Sequence, residues 1–197
     1  MKQTYSLSDL AAFSKDFFYA WSPNCKEHDP AFLQEADCVV NAASTVIDYQ
    51  YISMISRERF PVGTRVTTHC SFEKFGAPLI VFTDDIGADS EGRPLYGLHF
   101  EAVAFEEGCN VWKIEKNPDT TAARKIVTEK IGLMRFPVAD NSVIEVSVLF
   151  GEKKITVTVN GNSIDIEREE FPAEVHAGIT ACEGINRFYD FTVEIPD

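Results

Sequence analysis

The feature that most constrains this chain is alternation. Over long stretches its apolar residues fall at every second position, the spacing of a strand with one buried face. Residues 155–167 show it most fully. Asn160-Gly161 stands between two alternating runs, and a two-residue type I′ turn favours this pair because both positions need φ > 0. Such a turn sets Val157 opposite Ile164 and Ile155 opposite Ile166. Those four apolar residues share one side, while Thr156, Thr158, Asp165 and Glu167 share the other. Turn chemistry and hydrophobic pattern therefore agree on one register.

The same period runs through much of the chain. In 65–74, Val66, Thr68, Cys70 and Phe72 face one way, with Arg65, Thr67, His69, Ser71 and Glu73 facing the other. Leu79 to Phe82 is apolar on both sides, as in a central strand. Ile144, Val146, Val148 and Phe150 line one face of another strand, and Tyr189, Phe191, Val193 and Ile195 one face of the last. Residues 121–134 read as strand in this context. A second hairpin is expected over 95–115, with the three-residue loop Glu106-Glu107-Gly108. Its register places Phe100, Ala102, Trp112 and Ile114 on a core face. It also pairs Glu101 with Lys113 and His99 with Glu115 on the other face. Residues 6–18 suggest a short helix, capped by Ser8 with Leu7, Leu10, Ser14 and Phe17 in weak helical period, and residues 122–129 could also start one, although strand is favoured there. About ten or more short strands with regular turns predict an all-β fold, a two-sheet antiparallel β-sandwich. No linker or repeat divides residues 1–197, so one domain is expected. Fifteen Phe provide bulk for a core between two sheets.

Net charge narrows the partners. At −13 the surface repels phosphate backbones and anionic membranes, so neither nucleic acid nor membrane is an expected partner. The N-terminus lacks a signal-like apolar run, and the five Cys (25, 38, 70, 109 and 182) are odd in number and widely spaced. Both point to reduced thiols in a cytoplasmic protein. Cys25-x-x-His28 near Cys38 lacks the fourth ligand and the tight pairs of a structural zinc site.

The last third of the chain resembles the concanavalin A-like, or laminin G-like, jelly roll. The residues that carry the likeness are Ile155 to Gly161, then His176 to Gly184 around Gly178-Ile179, then Arg187 to Phe191. By size, the absent signal and overall layout, the chain is also similar to the cytosolic proteins described as regulation of enolase. The resemblance implies a carbohydrate or a metabolic enzyme such as enolase as partner. Laminarinase-type members of the superfamily carry Glu-x-Asp-x-x-Glu on one strand. This chain approaches that only at Glu27-His28-Asp29, with Phe32 where the third acid belongs. Retaining hydrolysis needs two carboxyls about 5 Å apart.

Candidate ligand-binding residues are therefore sought on the polar sheet face: His69, Glu73, His99, Glu101 and Lys113. If their strands are neighbours, His and carboxylate together could hold sugar hydroxyls or act as acid and base. The plainer reading is a set of cross-strand pairs on a solvated face. Asp84, Asp85 and Asp89 lie in an acidic loop with the oxygen ligands calcium prefers, though not at EF-hand spacing, and no other cofactor is expected. Trp21 and Trp112 are candidate sugar platforms, against the plainer reading of core aromatics. Arg187 and Asp190 read as structural. The sequence thus favours a non-catalytic binding or regulatory protein linked to carbohydrate metabolism. The alternative is a sugar-acting enzyme using the His/Glu face.

Overall fold

The computed structural model describes residues 1–22, 32–41, 52–167 and 171–196, the side chains of residues 181 and 182 excepted. The first part comprises β1 (Lys2–Ser6), helix α1 (Leu10–Asp16), β2 (Phe17–Trp21), β3 (Phe32–Gln34), β4 (Val39–Asn41), β5 (Ile52–Ser56), β6 (Phe60–Pro61) and β7 (Arg65–Glu73). The middle comprises β8 (Ala77–Thr83), β9 (Ile86–Ala88), β10 (Pro94–Tyr96), β11 (His99–Phe105), β12 (Gly108–Lys116) and β13 (Ile126–Arg135). The last part comprises β14 (Ile144–Phe150), β15 (Lys154–Val159), β16 (Asn162–Glu167), β17 (Glu174–Cys182), β18 (Ile185–Phe188) and β19 (Asp190–Glu194).

These strands form two sheets. A nine-stranded sheet runs β16-β15-β14-β7-β18-β4-β3, with β19 also on β7 and β1 on β19. A ten-stranded sheet runs β13-β12-β11-β8-β17-β5-β2-β10-β9, with β6 on β17. Every pair is antiparallel except β10 with β2. The architecture is the expected β-sandwich with one short helix. That helix is shorter than the sequence suggests. Asp9, not Ser8, caps it by accepting from the Ala12 amide at 2.9 Å, and Phe17 already belongs to a strand. Ser8 bonds the Ser6 hydroxyl instead.

The core lies between the sheets. Val66, Cys70, Val146, Val148, Ile155, Val157, Phe188 and Phe191 come from one side; Ile80, Phe82, Phe100, Ala102, Cys109, Val111 and Ile179 come from the other. Phe82 stacks on Phe100 and meets Phe150 of the opposite sheet edge-on at 5.1 Å. Each such buried ring contributes about 1.5–3 kcal/mol. The Asn160-Gly161 hairpin has the expected register, with Val157 opposite Ile164 and Ile155 opposite Ile166. Both turn residues have positive φ, 46° and 80°.

The second hairpin differs by one residue. Its loop is Glu106-Glu107, and Gly108 pairs with Phe105. Gly108 is no turn residue here. A Cβ on it would lie 2.1 Å from the Met134 carbonyl oxygen, so its bare backbone is what lets β13 close on β12. The shift sets Glu101 opposite Trp112 and His99 opposite Ile114. Phe100 and Ala102 stay in the core, whereas Trp112 and Ile114 cross to the other face of the sheet. The expected Glu101–Lys113 and His99–Glu115 pairs do not form; Lys113 meets Glu115 at 3.3 Å. The expected final strand is also broken, at Tyr189, so that β18 and β19 take successive stretches of β7.

Candidate functional site

The ten-stranded sheet is buried on its outer face as well as its inner one. A second apolar cluster sits there: Ala20, Ile55, Leu79, Val81, Tyr96 and Val103, with Phe18, Ile86 and Trp112 packed against it. The registers explain the arrangement. Trp112, Glu101, Val81, Gly178, Ile55 and Phe18 stand in one row across six strands. A row to one side joins Asn110, Val103, Leu79 and Thr180. To the other side, Ile114 pairs with His99 and Thr83 with His176.

Within this face lie the most unusual polar groups of the molecule. His99 and Glu101 are 0% and 1% exposed, two residues apart on β11, with Nε2 and Oε1 3.5 Å apart. Neither oxygen of Glu101 has a hydrogen-bond partner, nor does Asn110 Oδ1, and the Tyr96 and Ser53 hydroxyls have only each other. Buried polar groups in folded proteins are nearly always paired, so three unpaired atoms on one face set it apart. The spacing is that of an ion pair, but burial governs the charges. Desolvation pushes Glu101 up to about 8 and His99 down to about 4. Between those limits both are neutral. The Gly97 carbonyl can only accept, so His99 Nδ1, 3.3 Å away, carries the ring proton. Nε2 then turns its lone pair toward a protonated carboxyl. Tyr96 stacks on the imidazole, ring centres 4.5 Å apart, and burial raises its phenol above the usual range.

Tyr96 also floors a cleft of about 480 Å³, walled by Asp85, Leu95, Leu98, Glu115 and Lys116. Asp85 holds the cleft's shape: its carboxylate accepts from the Leu98 amide at 2.8 Å and its carbonyl from the Gly97 amide at 2.9 Å. A line of contacts thus runs from open cleft through Tyr96 and His99 to buried Glu101.

Of the candidate residues from the sequence, His99 and Glu101 come together, and His69 and Glu73 do not join them. β7 and β11 belong to different sheets, so His69 and Glu73 are separated from His99 and Glu101. On the nine-stranded sheet, His69 Nδ1 lies 2.8 Å from Asp190, and Glu73 takes a 2.8 Å bond from Arg187. Of the acidic loop, Asp89 is occupied by the Glu91 and Arg93 amides and the Arg93 side chain, which hold it below the usual carboxylate range. Among the described residues, Asp84, Asp85 and Asp89 included, no group of three or more His, Cys, Asp or Glu is placed to hold a metal ion. Trp112 is half-buried on the outer face with the Lys130 ammonium 4.8 Å over its ring. Cys25 and the Glu27-His28-Asp29 stretch lie outside the described residues. Tyr96, Ser53 and Asn110 carry no sequence signal as site residues, because only the pairing of β5, β10, β11 and β12 within one sheet brings them to this face.

No family model matches the chain, and no curated protein sequence matches it. Solved structures do match. A carbohydrate-binding module, CBM66 from Bacillus subtilis, superposes with a TM-score of 0.58 at 9% identity, covering 85% of this chain and 94% of that one. A Bacillus subtilis protein of unknown function with a galectin-like fold gives 0.61 at 14%, covering 98% and 94%. The β-agarase A of Zobellia galactanivorans gives 0.65 at 7%, covering 100% and 93%. At such identities the likeness is one of fold alone, a jelly-roll β-sandwich. The enolase-regulation resemblance finds no support among these matches.

Proposed function

We propose that this chain is a carbohydrate-binding protein whose ligand occupies the cleft beside Tyr96. The observation that carries the reading is the line of contacts leading in from that cleft: Tyr96, which lines it, stacks on His99, and His99 stands 3.5 Å from the unpartnered, buried Glu101 carboxyl. A pocket with apolar walls and a few convergent polar groups is the usual form of a small-ligand site. Asp85, Glu115 and Lys116 can exchange hydrogen bonds with hydroxyls, while Leu95 and Leu98 meet the C–H faces of a sugar ring. The carbohydrate-binding module and the glycoside hydrolases among the structural neighbours support the ligand class. Binding is preferred to cleavage for one reason. Glycoside hydrolysis uses two carboxyls across the scissile bond. Of the cleft's two carboxyls, Asp85 is engaged with the Leu98 amide and Glu115 meets Lys113, and Glu101 behind them is sealed from solvent. An enolase partner is not required by this reading.

A glycan array followed by calorimetry tests it. A neutral oligosaccharide should bind saturably, and Glu115→Ala and Lys116→Ala, both exposed positions, should each weaken it by about tenfold, the loss of one good hydrogen bond. Silence across the array, or affinity unchanged in both variants, would sink the proposal. Release of reducing ends would move the assignment to the enzyme.

A further inference from the structure

The imidazole of His99 meets the cleft wall twice. Its Nδ1 lies 3.3 Å from the Gly97 carbonyl, and its ring stacks on Tyr96; Gly97 and Tyr96 both line the cleft. On the far side Nε2 stands 3.5 Å from Glu101 Oε1. Few charges reach this buried pair. Across from Glu101, β8 presents Val81 and β12 presents Trp112, and Gly178 of β17 continues the row. Lys113 and Glu115 of β12 meet each other, and Lys130 of β13 lies over the Trp112 ring. His176 of β17 is engaged with the Ser56 carbonyl and the Arg59 side chain. Burial lowers His99, and Asp85, in the turn after β8, works against that. The Tyr96 phenol is raised by burial and stays protonated.

The acceptors dictate where the protons stand. With Glu101 protonated, Nδ1–H donates to the Gly97 carbonyl and Nε2 turns its lone pair to the carboxyl. Once that proton is gone, both Glu101 oxygens only accept. A buried carboxylate without a donor is costly, and Nε2 is placed to supply one. The ring therefore exchanges tautomers: the Glu101 proton passes to Nε2, and the Nδ1 proton leaves to solvent. One proton is lost and the imidazole stays neutral. Nδ1 then turns a lone pair on the Gly97 carbonyl oxygen, so a bond that held the cleft wall becomes a repulsion.

We propose that His99 and Glu101 form a proton-operated switch on the cleft wall, in which loss of one proton reverses the imidazole tautomer and releases Gly97. Burial pushes Glu101 up to about 8, so the switch works on the mildly alkaline side of neutrality. His99, held down to about 4, does not charge in that range. What the switch regulates rests on the reading of the cleft as a ligand site; the tautomer exchange does not.

The test is a pH titration of the ligand-free full chain from 6 to 9, read by the ring-nitrogen resonances of His99, which distinguish the tautomers. Wild type should pass from Nδ1–H to Nε2–H with a midpoint at about pH 8, and the Gly97 and Leu98 amides should shift with the same midpoint. Glu101→Gln has no proton to lose and should keep one tautomer throughout, with both amides still. Thermal unfolding at pH 6 checks that the variant is folded, and the wild-type titration decides alone if it is not. A His99 ring that keeps Nδ1–H up to pH 9 would overturn the proposal. So would a tautomer exchange that leaves Gly97 and Leu98 unmoved, or one that persists in folded Glu101→Gln. No sugar is present, so silence on the glycan array would strike the reading of the cleft and leave this outcome intact.

Discussion

The outer faces of the two sheets obey different rules. On the nine-stranded sheet the register draws Ser163, Thr158, Ser147, Thr67, Thr192 and Thr4 into one row across six strands. Hydroxyl meets hydroxyl there, Thr158 with Ser163 at 2.9 Å and Thr4 with Thr192 at 3.0 Å. Charges alongside are paired too, Lys2 with Glu194 and Arg187 with Glu35 and Glu73. This is the polar side of a half-buried sheet, where partners are close and water is near. The ten-stranded sheet has apolar clusters on both faces, and its outer face encloses a buried His–Glu pair whose carboxyl has no hydrogen-bond partner. The first arrangement satisfies its polar groups within the fold. The second leaves them unsatisfied next to a cleft, at a cost in stability that a ligand could offset. Under the proposed function, the first is a supporting face and the second a recognising one.

The strongest way to break the comparison is to pry the recognising face apart. Gly178 sits in the Glu101 row, and a Cβ there would lie 1.9 Å from the Met54 carbonyl oxygen of β5. That atom is backbone and cannot swing aside. Gly178→Ala should therefore cost about 3 kcal/mol or more, from overpacking and a disturbed ladder. Urea denaturation measures it. A cost below about 1 kcal/mol would show that β5 and β17 can part without consequence, and the row would lose its standing as a rigid base.

A pH profile sharpens the comparison next. Glu101 is raised from 4.5 to about 8, so its contribution is full below pH 4.5 and is lost as pH rises toward 8. His99 is lowered from 6.5 to about 4, so its contribution is full above pH 6.5 and is lost as pH falls toward 4. Between pH 4.5 and 6.5 the two slopes oppose and cancel. From 6.5 to 8 only Glu101 acts, and stability should fall by about 2 kcal/mol over that interval. Glu101→Gln, neutral at every pH, should abolish the alkaline slope. Denaturant midpoints at pH 5.5, 6.5 and 8 decide it; equal slopes in wild type and variant would mean that the carboxyl is already ionised in the folded protein.

How much of this was readable beforehand depended on whether local chemistry or long-range pairing set the outcome. The Asn160-Gly161 hairpin was legible because its turn residues admit few alternatives and its two faces differ in polarity. The 95–115 hairpin was misread because β11 alternates poorly. His99, Phe100, Glu101, Ala102, Val103 and Ala104 are all buried, so neither face marks itself as the core. With polarity uninformative, the register rested on Gly108, whose role is set by Met134, 26 residues away. The same blindness hid the site. Two-residue spacing put His99 beside Glu101, but nothing local says which sheet His69 joins or that Tyr96 lies over the imidazole. Asp190 was readable as structural; its grip on His69 spans 121 residues of sequence.

The finest probe exchanges one hydroxyl on each face. Thr158→Val removes an exposed hydroxyl whose partner, Ser163, can turn to water, and valine suits a strand at least as well. The change should stay within about 0.5 kcal/mol. Ser53→Ala removes a fully buried hydroxyl that meets only the Tyr96 hydroxyl, outside good hydrogen-bond geometry, so little bonding is lost and a desolvation penalty disappears. It should be neutral or stabilising by up to about 1 kcal/mol. Two thermal melts compare them. A loss above about 1.5 kcal/mol in Ser53→Ala would mean that this hydroxyl is bonded in solution. The recognising face would then be as well satisfied as the supporting one, and the physical ground for placing a ligand beside it would be gone.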